Sequence, residues 1–414
     1  MSQHQRRLRC LISHVVTASP VAGSTPTLLE PMTFKRGPPM KNRFMLAPLT
    51  NQQSGYFDGI LSEDEYTWLT KRAEGGFGCT MTCAAHVQKI GQGFSGQLGT
   101  WSDDHLEGLT RLVAGIKQHD SVAFCQLHHS GRRSPKDLIG GEAPVCPSVS
   151  EKEGARALTV AEVEQLVEDF VSAAERCEKA GFDGVELHGA HDYILCQFLS
   201  GVTNQRTDRY GGSRENRERV VREIITGIRK RCRPDFNLGI RLSPEGFGMK
   251  LAECLSFVQE LCDEGQLDYI DLSLWDCFKE PREKEFAGQH LMYWFNQIDR
   301  KGTRLGVAGK LMTAEESQAC LECGMDFVLI GRGAVLHHDF PKLAAKNPAW
   351  GAIPTPASEE HLLSEFLSPS FVEYLKQAFK GFVQEPGLTE DARRKTSNFQ
   401  NWKQKSGFRM VASW

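Results

Sequence analysis

The chain has 414 residues, 40% hydrophobic and 24% charged, enough to bury one large core or two medium ones and far more than a small stapled scaffold needs. Its 49 basic and 52 acidic residues leave a formal charge of -3, which argues against a nucleic-acid or anionic-membrane binder, and its 23 Phe and 7 Trp exclude a disordered polymer. No apolar run approaches the ~20 residues of a membrane span, and the 13 cysteines, scattered from Cys10 to Cys323, read as reduced thiols of a reducing compartment.

In chain order, residues 1–29 hold no Asp or Glu, carry Arg6, Arg7 and Arg9, and pass into Ser, Thr and Pro. This composition is allowed for an organelle transit peptide, whereas Ser13 and His14 interrupt the apolar stretch a secretory signal needs. The expectation is a disordered or targeting-like leader on a cytoplasmic protein, with the mitochondrion left open.

Residues 30–349 alternate short apolar runs with helix-period segments. Strands are expected over 43–47, 79–84, 122–127, 184–187, 238–242, 269–272, 304–307 and 327–330, and helices between them, among them 161–179, 214–230, 251–262 and 314–322. Eight strand-then-helix units predict an α/β fold, the (β/α)8 TIM barrel, with a doubly wound open sheet as the competitor. Residues 130–158, rich in Gly, Pro and Ser, form an excursion on the third βα loop. After Pro348 come Pro354, Pro356, an amphipathic stretch near 362–382 and a basic polar tail, so 350–414 reads as a helical C-terminal extension without a catalytic domain of its own.

In a barrel, the C-terminal strand ends and the loops behind them build the active-site mouth. Here those positions carry Pro48-Leu49-Thr50, Gln126-Leu127-His128-His129-Ser130-Gly131-Arg132, His188-Gly189-Ala190-His191-Asp192-Tyr193, Arg241 and Gly331-Arg332. A Gly beside an Arg at the last strand-to-helix junction, preceded by Gly309-Lys310 after strand seven, suits a phosphate: glycine admits close backbone approach and arginine supplies a charge-assisted fork. For His188 and His191 three readings stand: buried packing, zinc ligation, or paired imidazole donors aimed at one ligand oxygen. No nearby carboxylate or thiolate completes a metal set, so no metal is assigned. The third reading is the logic of an oxyanion hole, and Tyr193 adds a phenol that can serve as general acid. Trp275, after strand six, is read as a wall of the substrate pocket.

The run Asn204-Gln205-Arg206-Thr207-Asp208-Arg209-Tyr210-Gly211-Gly212-Ser213-Arg214-Glu215-Asn216-Arg217 resembles the signature of the Old Yellow Enzyme family of FMN-dependent NADH:flavin oxidoreductases. His-x-x-His-x-Tyr, Gln-Leu-x-His-x-Gly-Arg and the final Gly-Arg follow in the family's order. The resemblance spans about residues 31–349. It implies one FMN across the barrel mouth and NADH or NADPH as electron donor. Pro48, Leu49 and Thr50 would flank the flavin, with Thr50 near its O4/N5 edge. Ala84 would back the ring, Gln126 would bond the pyrimidine, Arg241 would sit by N1/C2, and Gly309, Gly331 and Arg332 would hold the phosphate. His188 and His191 would bind a substrate carbonyl and Tyr193 would donate the proton. The chain departs from the two-histidine bacterial subgroup at Thr50, often Cys there, at Gln52 and Gln53, where a Tyr is usual, and at Cys83, where many relatives carry Glu.

The implied activity is reduction of the C=C bond of an α,β-unsaturated carbonyl compound. Quinones or nitro compounds as acceptors, or a non-catalytic FMN-binding role, are the alternatives. No cysteine follows Cys323, so the four thiolates of the iron–sulfur cluster of larger relatives are missing. The expected partner is a small-molecule substrate, with no nucleic acid and no membrane. Self-association as a homo-oligomer is left open.

Overall fold

Runs of residues buried on both faces are what a parallel sheet wrapped by helices requires. The computed structural model describes residues 25–384 and 398–406. Its eight principal strands are β1 (Phe44–Leu46), β2 (Cys79–His86), β3 (Val122–His128), β4 (Gly184–Gly189), β5 (Asn237–Leu242), β6 (Tyr269–Ser273), β7 (Arg304–Ala308) and β8 (Phe327–Ile330). They close in the order β1-β8-β7-β6-β5-β4-β3-β2, every pair parallel, which is the (β/α)8 barrel and not the open doubly wound sheet. The leader reading falls mostly on residues 1–24, which lie outside the described residues, as do Cys10 and most of the basic tail.

The wrapping helices are α1 (Glu63–Glu74), α2 (Leu106–Lys117), α3 (Val160–Lys179), the short α4 (Ile194–Leu199), α5 (Arg214–Arg231), α6 (Leu251–Glu264), α7 (Leu291–Asn296), α8 (Ala314–Glu322), α9 (Arg332–Leu336) and α10 (Phe340–Lys346). Their starts are chemically marked. Ser62, Thr159, Ser213 and Thr313 cap α1, α3, α5 and α8 by accepting from a backbone N–H of the first turn. Among the described residues no helix is long and apolar enough to cross a membrane.

The two ends of the barrel differ. At the amino-terminal end Phe34 enters the ring of strands and meets Phe124, Tyr269 and Phe327 at centroid distances of 5.9, 5.6 and 6.2 Å. Gly239 and Gly306 make room for this plug, since a Cβ on them would fall 2.1 Å from the Tyr269 ring and 2.2 Å from the Phe327 ring. With that end filled by aromatic packing, only the carboxy-terminal end can hold a ligand.

The family-like run 204–217 turns out to be a brace. Asn204 donates to Phe198 O and Tyr210 O, Arg206 to Pro147 O and Leu158 O, and Arg217 to Leu199 O and Glu253. It ties the excursion after β3 to α4, α5 and α6.

The extension continues the barrel's packing through α11 (Glu359–Ser364), α12 (Pro369–Ala378) and α13 (Phe399–Ser406). Phe371 of α12 packs edge-on against Trp68 of α1 at 4.9 Å, and the buried Arg72 guanidinium donates to Ala334 O and Glu365 O.

Candidate active site

The parallel ladder decides which strand residues are neighbours at the open end. Gln126 of β3 lies beside Glu186 of β4, His188 of β4 beside Arg241 of β5, and Arg241 beside Asp271 of β6. Around them Pro48, Leu49, Thr50, Ala84, Gln126, His188, His191, Tyr193, Arg241 and Arg332 line one chamber of about 260 Å³. Three expected residues stand apart. Gly331 caps the start of α9, where a Cβ would meet the side chain of Leu49, a wall residue, at 3.5 Å. Gly309 is pressed against the backbone of Asp276 and Cys277, where a Cβ would lie 2.9 Å from either nitrogen, so the close approach of the loop after β6 already requires the glycine. Trp275, 70% exposed, lines an adjoining chamber that meets the first at His191 and Ser273, together with Phe247, Lys279 and Arg282.

Beneath the chamber lie two buried carboxyl groups. Gln126 Nε2 donates to Glu186 Oε1 at 2.7 Å, and Arg241 Nε sits 3.0 Å from Asp271 Oδ2. Burial, and then the Asp271 carboxylate, push the Glu186 carboxyl up to about 8. Burial lifts Asp271 to about 6 against the pull of Arg241.

The turn after β4 carries the histidine–tyrosine set in a backbone that L-residues rarely adopt: His191 and Asp192 have φ of 60° and 61°. The loop after β3 holds it there. Arg132 pairs with the Asp192 carboxylate at 2.8 Å, Arg133 donates to His191 O at 2.7 Å, and Gln197 donates to Asp192 O at 2.6 Å. His188 Nδ1 accepts from Ala190 N at 3.3 Å, so the proton of the neutral ring resides on Nε2. That Nε2 is 3.4 Å from His191 Nδ1, and His191 Nε2 is 2.7 Å from Ser273 Oγ. A 3.4 Å contact is weak, so little is lost when an incoming oxygen replaces it. Tyr193 places its ring edge-on to His128 and His188 at 4.3 and 5.0 Å, with the Arg133 guanidinium 4.8 Å above it.

Burial keeps this region's imidazoles uncharged. It lowers His86 to about 4 and His129 and His191 to about 3, and takes His128 and His188 well below the ordinary histidine range, with neighbouring histidines or cations adding to the effect at His128, His129, His188 and His191. In the unfolded chain the same rings take up protons near 6.5. Their contribution to stability is complete above about pH 6.5 and is lost as the pH falls toward 4 and 3. Glu65, Glu186 and Asp271, raised by burial, act oppositely: their contribution is complete at low pH and disappears as the pH rises through the folded values, about 6 for Asp271 and about 8 for Glu186. Five rings outweigh three carboxyls below pH 6. The thermal midpoint of the purified protein, followed from pH 4 to 9, is therefore expected to climb to a maximum near pH 6.5 and then decline. A midpoint that falls steadily from pH 4 to 6.5 would contradict neutral buried histidines.

Sequence reasoning missed the rest of the wall: Ser273, Val335, and Phe371, Tyr374, Leu375, Phe379 and Phe382 from the extension. The spacing 371, 374, 375, 379, 382 is a helical apolar stripe, legible as an amphipathic face, but nothing in it says which surface it covers.

Residues 27–348 match the NADH:flavin oxidoreductase / NADH oxidase family. A probable NADH-dependent flavin oxidoreductase YqiG of Bacillus subtilis (strain 168) is 36% identical over 315 residues, covering 74% of this chain and 84% of that protein. An NADPH dehydrogenase of Bacillus pumilus (strain SAFR-032) is 32% identical over 327 residues, covering 77% and 94%. Among solved structures, the old yellow enzyme homologue from Zymomonas mobilis superposes with a TM-score of 0.70 at 25% identity, covering 84% of this chain and 99% of the other. The extension from residue 349 onward lies outside the family match.

Proposed function

The chain belongs to the NADH:flavin oxidoreductase / NADH oxidase family, the Old Yellow Enzyme family, and from that premise we propose that it reduces the C=C bond of α,β-unsaturated carbonyl compounds in a ping-pong sequence, nucleotide and enone occupying one chamber in turn. It is an NAD(P)H-dependent flavin oxidoreductase with FMN as cofactor.

The donor set of the chamber fits FMN. Gln126 has its amide nitrogen committed to Glu186, which leaves its carbonyl oxygen for a ligand N–H, the group a flavin pyrimidine offers between two carbonyls. Arg241 would hold the neighbouring carbonyl, and Pro48, Leu49 and Ala84 give the flat apolar contact a tricyclic ring needs. Arg332, with Gly331 and Gly309 in the roles expected from the sequence, would hold the phosphate. When bound, FMN supplies the two-electron redox chemistry.

The protein's own part follows from the turn after β4. His188 Nε2–H and His191 would polarise a carbonyl oxygen, stabilising the negative charge that builds there as the double bond is reduced. Tyr193 would deliver the proton at the α-carbon. Trp275 would bound the far side of a longer substrate. The observation that carries this reading is the neutral His188–His191 pair with the Tyr193 ring packed against it in one chamber.

The test is optical. Purified protein is expected to be yellow, to bleach anaerobically with NADH or NADPH, and to regain colour on addition of cyclohexenone or a maleimide. Recovery with quinones or nitro compounds alone would replace the enone with that acceptor class. Protein that binds FMN without bleaching would be a non-catalytic flavin binder.

A further inference from the structure

The adjoining chamber holds about 280 Å³ and opens onto the first at His191 and Ser273, between the loops after β5 and β6. Two aromatic residues stand in it, Phe247 at 45% exposure and Trp275 at 70%. Their backbone is as costly as their exposure: Phe247 and Trp275 have φ of 53° and 64°, the left-handed region that bulky L-residues avoid.

Both conformations are imposed by the surroundings. Trp275 is the middle residue of a three-residue turn in which Asp276 N donates to Leu274 O at 2.7 Å, a strained turn at this sign of φ. Leu274 N donates to Ala308 O at 2.9 Å, Cys277 N to Gly309 O at 3.2 Å, and Lys310 Nζ to Asp276 Oδ2 at 3.3 Å, so the turn is clamped to the end of β7. Phe247 lies between Gly246 and Gly248, with φ of 80° and 77°, and its ring stands nearly perpendicular to that of His191 at 6.3 Å. Strain that the fold maintains at a cavity wall points to side chains placed for a ligand.

Charge gives that ligand its second feature. Lys279 pairs with Glu245, Arg282 N donates to Glu245 Oε2 at 2.8 Å, and Arg282 Nε lies 3.6 Å from Glu245 Oε1. Glu245 is the one carboxyl among the described lining residues, against the two cations Lys279 and Arg282, so the chamber keeps one positive charge in excess. The Arg282 guanidinium lies over Gly246, where a Cβ would come 3.2 Å from Nη1, and remains largely exposed. Such a planar fork binds carboxylates and phosphates through paired hydrogen bonds.

We propose that this chamber is a subsite for the tail of a molecule whose reacting end lies at His188 and His191, a tail that combines a planar ring with an anionic group. The ring would stack on Trp275 and Phe247, and the anion would take the Arg282 fork. Two sources carry that chemistry: the base and phosphates of the nicotinamide nucleotide, and a ring-bearing carboxylate on the unsaturated substrate. The proposal rests on the reading above that both ligands react in the first chamber.

The test uses the FMN-loaded enzyme with Arg282→Ala, Arg282→Glu, Arg282→Lys and Trp275→Ala. Binding of the unreactive tetrahydro analogues of NADH and NADPH is read from the flavin absorbance, and KM is measured for para-carboxycinnamaldehyde. Each is expressed relative to a twin without the anion, benzyl-tetrahydronicotinamide and cinnamaldehyde respectively. Loss of one charge-assisted contact at an exposed site is expected to weaken the anionic ligand about three- to tenfold relative to its twin in Arg282→Ala. Arg282→Glu should weaken it further, Arg282→Lys should restore part of it, and added salt should shrink the wild-type preference. Trp275→Ala should weaken whichever ligand Arg282→Ala weakens. A loss confined to the nucleotides assigns the tail to them, and one confined to the carboxylate assigns it to the substrate. Equal losses for a charged ligand and its twin mean a structural role and overturn the proposal, as does an unchanged preference in Arg282→Glu. A protein that stays colourless with added FMN defeats the reading of the first chamber instead, an outcome visible before any ligand is titrated.

Discussion

A Tyr193→Phe variant is expected to turn over enones about 10²- to 10⁴-fold more slowly than the parent while being bleached by NAD(P)H at the parental rate. The substitution removes one oxygen and leaves the ring, so the contacts with His128, His188 and Arg133 survive and the fold changes little. What disappears is the one phenolic proton that the turn after β4 presents beside the two imidazoles. Stopped-flow spectroscopy separates the two half-reactions: flavin bleaching should be untouched and its reversal by cyclohexenone slowed. Reversal at the parental rate would mean that the α-carbon takes its proton from solvent or from the second phenol, Tyr374.

Replacing His188 by Ala should cost about 10²- to 10³-fold in enone turnover, the usual loss when one donor to a developing oxyanion is removed. His188 is suited to that role because burial, reinforced by His191, His128 and Arg241, keeps it neutral, and because the Ala190 N–H occupies Nδ1 and leaves Nε2 as donor. Its ring also fills space against His128 and His191, at 5.4 and 5.1 Å, so the alanine variant loses packing as well. His188→Asn separates the two losses, since an amide keeps an N–H donor and part of the turnover should return. The readouts are kcat/KM for cyclohexenone and the long-wavelength charge-transfer band that a bound phenol produces over a flavin. Retention of full turnover by His188→Ala, with FMN still bound, would remove the imidazole pair from the mechanism.

All eight strands were legible because each is a run of residues buried on both faces, and their amino-terminal limits fall within one residue of expectation. Five of their carboxy-terminal ends were read short, two fell where expected and β1 ends one residue before its expected limit. His86, His128, His188, Gly189, Ser273 and Ala308 belong to the ladder, yet several carry polar side chains and look like loop in a linear pattern. Polar strand ends are the consequence of facing a ligand chamber in place of a core. The motif 204–217 was the most specific signal in the chain, and it marks a brace of buried hydrogen bonds remote from the reacting groups, so family membership and chemistry were written in different residues.

Other features had no linear signature. Gly309 was read as a phosphate contact from its neighbours, and the structure supplies a second reason for the glycine in the close approach of residues 276–277. Gln53 stands where a tyrosine was sought, and its amide instead anchors the extension, whose Tyr374 enters the chamber beside Thr50.

The amino-acid order by itself determined the alternation of strands and helices, the caps that start the helices, and which residue types stand at the strand ends, because these follow from local burial patterns and short-range hydrogen bonding. Only the closed ring of strands decided that His188 lies beside Arg241, that His191 stands between His188 and Ser273, and that a helix from beyond residue 349 walls the site. The reason is one of distance along the chain. Register between strands and the docking of an apolar stripe are set by surfaces far apart in sequence, and neither surface carries a mark of its partner until the chain has folded.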